Sequence, residues 1–387
     1  MNSWRPDAYL NDQSRNSRTG LRRSSAGIYG VLIYALLLVI VGTQAAADVP
    51  DYEFEVVAGF STTTNLRGYS ENGWVVGDQV VAGQSQPFVA SIEDGLRFLP
   101  LPIGFDSGAA LDVNSNGVIV GTVSDAGFAF DRGQPAFWTP NGSGGWTVAI
   151  PAQFDALPGP RGELAVTGGQ IVAINELGFM VGWSRLQGFQ GGPTTLFSAT
   201  EPPLNLSAMG FAGTVRAINN NNVIAGGQIL LDLDNGEITE FGVPDPIGTV
   251  GFTNAIAFAI NDSDEVIVAA NLASVPTENW LTYIYSSAQG YTRLNPDQLP
   301  RRFVGFYDNN NGGDISASGG LLFRQEGVLV TDPDALLEPE FSSWQVSLGF
   351  IANDRTIHTT AFNADTGESA LVRLSPASDM VFDSSFE

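Results

Sequence analysis

The chain of 387 residues has no cysteine, no lysine and a single histidine, His358. Without cysteine there is neither disulfide nor thiolate, so stability has to come from packing, hydrogen bonds and ions. One histidine rules out a histidine-rich zinc centre. A serine–histidine–aspartate triad would have to use His358. That residue falls in an apolar strand pattern with no partner motif, so a structural histidine is expected. The missing lysine excludes Schiff-base chemistry and a phosphate loop ending in lysine. All 17 basic residues are arginine, against 41 Asp and Glu. Such acidity argues against nucleic acid as a partner. It favours solubility, cation binding or life in high salt.

A long membrane-spanning run is also missing. The apolar stretch from Ile28 to Val41 is shorter than the roughly 20 residues a bilayer requires. Arg15, Arg18, Arg22 and Arg23 precede it, and the small-residue run Gly42-Thr43-Gln44-Ala45-Ala46-Ala47 follows. This is the three-part pattern of a signal peptide, residues 1–47, cleaved near Ala47. It predicts export to the periplasm, the medium or the surface of a bacterium, with no transmembrane segment after cleavage. Residues 48–387 carry 12 arginines against 39 carboxylates, a charge of −27.

What the chain does have is a repeat. Val113-Asn114-Ser115-Asn116-Gly117-Val118-Ile119-Val120-Gly121 returns as Ile174 to Gly182, Ile218 to Gly226 and Ile260 to Val268. Weaker copies start at Tyr69, Tyr307 and Ile351. Counted from the residue after that first position, they stand at 70, 114, 175, 219, 261, 308 and 352. Asn at the turn's start is suited to an Asx-turn with the backbone two residues on. Gly117 and Gly178 suit a positive φ, with Asn222 and Asp264 the next most tolerant types. Arg355 is an awkward occupant of that place. The apolar strand that follows ends in Gly121 or its equivalent, where another backbone could approach closely.

A second signature accompanies the first. Short aromatic strands (Pro87-Phe88-Val89, Pro135 to Trp138, Leu196-Phe197, Thr282-Tyr283-Ile284, Leu322-Phe323) precede turns at Asp94-Gly95, Asn141-Gly142, Gln289-Gly290 and Glu326-Gly327. Asn235-Gly236 and Thr366-Gly367 repeat the turn. These are hairpin signals. A period near 44 residues holds about four strands, the pattern of a propeller blade. The expected fold is therefore all-β: a β-propeller of about seven four-stranded repeats over 48–376, with a tail at 377–387. Six blades remain open because the Tyr307 copy is degraded. The strand pattern near Asp51 to Val57 is positioned to complete the last blade beside Ala370 to Leu374. An insertion around 144–168 reads as a surface loop.

Together the two signatures resemble the bacterial extracellular HAF-type repeats, which pair an Ile-Asn-x-x-Gly turn and strand with a His-Ala-Phe strand and an Asn-Gly hairpin. The match covers most of 66–372, with Pro135 standing where the family has its His. The resemblance implies an exported, propeller-like protein and no particular activity.

Three candidate sites follow. Asp112, Asn114 and Asn116 match the first half of a calcium loop, although Val123 stands at the twelfth place where Glu is expected. Turn geometry alone also explains Asn and Asp there. Trp74, Trp138, Trp183, Trp280 and Trp344 recur in the repeats, which fits packing between blades more than stacking on sugars. Carboxylate pairs suited to glycoside cleavage are too numerous to single out. The reading is a secreted, acidic, monomeric binding or scaffold protein, its ligand a carbohydrate or a surface protein. The alternatives are a polysaccharide hydrolase or lyase using carboxylates on one propeller face, and a cell-surface structural protein.

Overall fold

The computed structural model describes residues 51–60, 63–125, 133–159, 162–189, 191–244, 252–272, 280–294, 307–317 and 320–377. The expected signal peptide and all but the first residue of the tail lie outside these residues. Seven antiparallel sheets follow one another as the blades of a β-propeller: 64–98, 107–149, 156–205, 215–240, 252–293, 307–330 and 344–376. The last is completed by Tyr52–Phe60, which pairs along Ser369–Pro376 from Tyr52↔Pro376 to Phe60↔Ser369. The ring thus closes by joining the two ends of the chain, as the sequence pattern predicts. Among the described residues no helix is long and apolar enough to cross a membrane.

Each blade is built in the same way. The repeat turn joins the first strand, which lines the axis, to the second. In blades 1, 2, 5 and 6 the aromatic signature is the third strand and the Gly hairpin leads to the fourth; blade 3 keeps the aromatic strand, blade 4 the hairpin, and in blade 7 Gly367 leads to the third strand, with Tyr52–Phe60 as the fourth. Gly95, Gly142, Gly236, Gly290, Gly327 and Gly367 all have φ between 64 and 73°, the conformation these tight turns need. At Gly121 and Gly182 a Cβ would overlap the carbonyl oxygens of Ala109 and Gln170 on the first strand. The close approach expected from the repeat therefore occurs inside the blade. It accompanies a β-bulge at Arg67, Leu111, Val172, Arg216 and Phe258, where the register of five first strands skips one residue. Bulges raise local twist, which suits a strand turning past the axis.

The apolar core is divided among the junctions between blades. Val76 and Val89 of blade 1 pack on Val113, Ile119 and Trp138 of blade 2. Val120 and Phe137 meet Ile171, Ile174 and Phe197 of blade 3. The pattern continues to Leu371 of blade 7 against Leu66, Val75 and Phe88 of blade 1. Each blade packs on its neighbours, so no single core has to serve the whole chain.

The repeat Asn stitches these junctions. Its Oδ1 accepts the N–H four residues on, as in Val118 N–H to Asn114 (3.0 Å) and Phe179 N–H to Asn175 (2.9 Å). The bond to the residue two on, expected of an Asx-turn, occurs at Asn219 and Asn261 as well. The Nδ2 end leaves the blade. Asn114 donates to Asn175 O, Asn175 to Asn219 O, Asn219 to Asn261 O, Asn261 to Asn310 O and Asn310 to Ala352 O, at 2.9–3.1 Å. At the closing junction Tyr69 donates its hydroxyl to Ile351 O (3.0 Å). These Asn side chains are buried, where an unmade hydrogen bond is costly.

This stitching corrects the frame of the sixth repeat. Its turn starts at Asn310, two residues after Asp308, and Gly313 is the positive-φ residue (81°). Asn311 and Gly313 both tolerate a positive φ, so the sequence permits either frame. The strand thought lost follows at Ile315–Ala317, so the propeller has seven blades. Arg355 is corrected too. It holds φ 68° because its guanidinium, buried at 6% exposure, pairs with Asp314 (2.8 Å) and Glu326 (2.8 Å) of blade 6. Asn222 and Asp264, also at positive φ, accept from Asn175 and Asn219 of the preceding blades. Each occupant of the glycine place thus reaches back one blade. The insertion is a hairpin, Ala156–Gly159 with the start of Gly162–Ile174, rather than an irregular loop.

Substitutions at Asn219 and Arg355 test these roles by urea unfolding. Asn219→Ala should cost about 2–3 kcal/mol, since it leaves buried partners unpaired. Asn219→Asp should cost more at pH 8 than at pH 5, because it sets a carboxylate against that of Asp264. Arg355→Gly should relieve about 1 kcal/mol of left-handed strain yet lose about 3–5 kcal/mol by stranding buried Asp314. Adding Asp314→Asn should recover much of the loss.

Candidate functional site

The residue after each repeat Asn is polar in every blade: Glu71, Ser115, Glu176, Asn220, Asp262, Asn311 and Asn353. These side chains form a second belt around the mouth of the axial channel. Six of the seven accept from the backbone N–H at the same position one blade earlier. Ser115 N–H donates to Glu176 (2.9 Å), Glu176 N–H to Asn220 (2.9 Å) and Asn220 N–H to Asp262 (2.8 Å). Asp262 N–H donates to Asn311 (2.8 Å), Asn311 N–H to Asn353 (2.7 Å) and Asn353 N–H to Glu71 (3.0 Å). At the remaining junction Asn72 Nδ2 donates to Ser115 O (2.8 Å).

Behind the belt lies an axial cavity of about 180 Å³, lined by residues of all seven blades. Two residues before the repeat Asn, the first strand carries Gly68, Ala173, Ala217 or Ala259 in four blades and Phe350 in the seventh. In blades 2 and 6 it carries Asp112 and Asp308. Asp112 accepts from Val113 N–H and, across the junction, from Ile174 N–H (both 2.9 Å). Asp308 accepts from Ile351 N–H (2.9 Å). With Glu71, Glu176 and Asp262, five carboxylates line one small cavity, and among the described residues no arginine lines it.

The electrostatics follow from that crowding. Enclosure in the channel wall, then the charges of Asp308 and Glu176, push Asp112 up to about 7 despite its two N–H donors. Enclosure and the charge of Glu71 push Asp308 to about 7 as well. Burial, then Asp354, Asp262 and Glu176, raises Glu71. The Tyr69 hydroxyl is driven well above its ordinary value by burial and by Asp308. Asn309, 6% exposed, lines the same cavity, and its Oδ1 accepts no hydrogen bond.

The residues singled out by sequence fall differently. Asp112, Asn114 and Asn116 are sent three ways: Asp112 to the channel, Asn114 to the inner ladder, and exposed Asn116 to Glu176 O (3.3 Å). The side-chain oxygens of Asp112 and Asn114 are taken by backbone N–H groups. Val123 is buried in the following strand. Among the described residues no group of three or more His, Cys, Asp or Glu side chains could hold a metal ion. His358 is 4% exposed with its ring 5.9 Å from that of Tyr69, and burial lowers it to about 4. It stays neutral near pH 7.

Tryptophans serve packing. Trp138 is fully buried and donates to Pro100 O (2.7 Å). Trp74 meets Trp146 edge to face at 5.6 Å, and Trp344 lies 5.3 Å from Phe54. Trp183 is half-buried; the side chain of Trp280 lies outside the described set. The belt was missed because its residues differ in type. Their common property, a side-chain oxygen one place after the repeat Asn, is visible only when the copies are stacked.

The raised carboxylates fix a pH dependence. Near pH 4 and below, folded and unfolded chains are both protonated at Asp112 and Asp308. Between about pH 4 and 7 the folded chain holds protons the unfolded chain has lost, so stability falls as pH rises through that window. The melting temperature should therefore decline from pH 5 to pH 7.5, and the Asp112→Asn, Asp308→Asn double variant should show a flatter curve. The opposing effect of His358, which favours folding at higher pH between about 4 and 6.5, is common to both proteins and cancels in the difference. Parallel curves would refute the assignment.

No protein-family model matches the chain, and no curated protein does. Solved structures of similar architecture include a catalytically inactive virginiamycin B lyase from Staphylococcus aureus with quinupristin, at 13% identity and a TM-score of 0.47 over 84% of this chain and 99% of that one. An oligogalacturonate lyase from Vibrio parahaemolyticus gives 7% identity and a TM-score of 0.48 over 86% and 98%. YCF48 bound to D1 peptide gives 13% and 0.34 over 74% and 98%. At these identities the likeness concerns the fold alone.

Proposed function

We propose that the chain is an exported binding protein whose ligand presents one positively charged group, an ammonium or a guanidinium, to the axial mouth. The observation that carries this is the set of enclosed carboxylates with no counter-charge in the lining of their cavity. Asp112 and Asp308 are driven to about 7 because enclosure, together with the neighbouring carboxylates, outweighs the N–H donors they accept from. A cation would reverse that. The uncommitted Oδ1 of Asn309 adds an acceptor. A cavity of about 180 Å³ is smaller than the roughly 300 Å³ at which pockets for whole drug-sized ligands begin. It suits a head group rather than a sugar ring.

A hydrolase or lyase is the second reading, favoured only by two carboxylates able to exchange protons near neutrality. Product from an oligosaccharide panel that disappears in Asp308→Asn would support it.

The test of the first reading is melting with agmatine, with calcium and with chelator, followed by calorimetry at pH 7 in buffers of different ionisation enthalpy. Agmatine should raise the melting temperature, and its binding should release protons as Asp112 and Asp308 ionise. Both effects should vanish in the Asp112→Asn, Asp308→Asn variant. An agmatine shift that persists in that variant, or none at all, would sink the proposal. A shift with calcium alone would make an inorganic ion the ligand.

A further inference from the structure

On the same face as the mouth, a groove of about 450 Å³ runs between blades 2 and 3. Its wall is apolar: Val118, Phe137, Phe179, Met180, Phe197 and Leu204. Leu177 stands at its rim, 65% exposed, and Leu204 is 46% exposed. Turn chemistry does not call for a leucine at this place. The other six blades carry Asn72, Asn116, Asn221, Ser263, Gly312 and Asp354 there. An apolar side chain held out to water beside an apolar groove marks a contact surface.

The groove and the mouth are separated by one step of chain, since Glu176 lines the cavity while Leu177 and Gly178 line the groove. Glu201 adds a carboxylate to the groove itself. We infer that this groove docks a polypeptide segment carrying an aromatic or aliphatic side chain next to an arginine or lysine, the apolar group in the groove and the cation at the mouth. Charge complementarity selects that occupant: the chain carries a net charge of −24, and Glu71, Glu176 and Asp262 ring the mouth. An anionic lipid surface would be repelled, and a sugar would leave an apolar wall uncovered. The volume lies within the range of about 300–1,000 Å³ in which such pockets hold a ligand.

The inference rests on the cationic reading for its polar half and on the groove for its apolar half, and the experiment separates the two. A fluorescein-labelled peptide, Gly-Ser-Phe-Arg-Leu-Arg-Ser-Gly, is titrated by anisotropy against the wild-type chain, Leu177→Asn and Leu204→Ser. Agmatine affinity is measured on each protein. Leu177→Asn installs the residue three other turns use, and an unchanged melting temperature checks its fold. The peptide should bind the wild type, and each variant should weaken it about tenfold, as expected for losing most of one buried leucine, with agmatine binding unaltered. A peptide whose two apolar residues are replaced by serine should bind all three proteins alike. Equal peptide affinity for wild type and both variants overturns the groove and leaves the mouth standing. Loss of agmatine binding with a retained Leu177 effect does the reverse. No binding of either probe overturns both.

Discussion

The fold depends on an asparagine that has two jobs. Its Oδ1 closes its own turn and its Nδ2 donates to a carbonyl on the next blade. A shorter or singly functional side chain cannot do both. Serine at position 70 caps its turn through Oγ, and blade 1 then needs Asn72 to reach blade 2. Ala352 does neither: Tyr69 of blade 1 makes the closing link by donating to Ile351 O, and Arg355 in the same turn adds ion pairs back to blade 6. Because one residue fixes both the turn and the junction, local geometry and blade spacing cannot vary independently. That coupling holds seven first strands around a channel narrow enough to crowd Asp112 against Asp308.

Much of this was legible. Period, turn, aromatic strand and Gly hairpin each have a local cause, so the four strands of a blade and the closure of the ring could be read before any coordinates. What could not be read lies across junctions. The Nδ2 bond of Asn114 goes to a residue 61 positions away, and nothing near Asn114 announces it. Asp112, Asn114 and Asn116 looked like calcium ligands because carboxylate and carboxamide oxygens suit a cation and a backbone N–H alike. Only geometry shows that N–H groups hold those of Asp112 and Asn114. Asp308 reads as the start of a turn because Asn311, like Gly313, suits the positive-φ place three residues on. In the correct frame it falls on the axis opposite no basic residue of the lining.

Blade 6 shows how a degraded repeat persists. Its strands are only three or four residues long, although Ile315, Leu321, Leu322, Phe323 and Val330 are buried in them. Ion pairs hold it on both sides: Arg324 to Glu265 of blade 5 (2.7 Å), and Arg355 of blade 7 to Asp314 and Glu326. The Arg355 side also lays its guanidinium over Phe323, 5.5 Å from the ring centre. Buried pairs of this kind add little net stability against a well-packed apolar alternative, but each is hard to break singly. They hold the position of a blade whose own strands specify it weakly.

The belt at the mouth raises a different question, because stitching alone does not require charge. Asn220, Asn311 and Asn353 each accept a backbone N–H from the preceding blade as neutral amides. Glu71, Glu176 and Asp262 do the same work as carboxylates, and the repulsion among them is felt at Glu71, whose carboxyl is raised in part by the other two. An all-asparagine belt would satisfy the same donors without that repulsion. Asp112 and Asp308 sharpen the contrast, since four other blades place Gly or Ala at their position and close just as well. The negative charge at the axis is thus surplus to the architecture and costly to it. A cationic ligand of the kind proposed for the mouth would offset that cost, since an opposite charge favours the ionised form of each carboxylate.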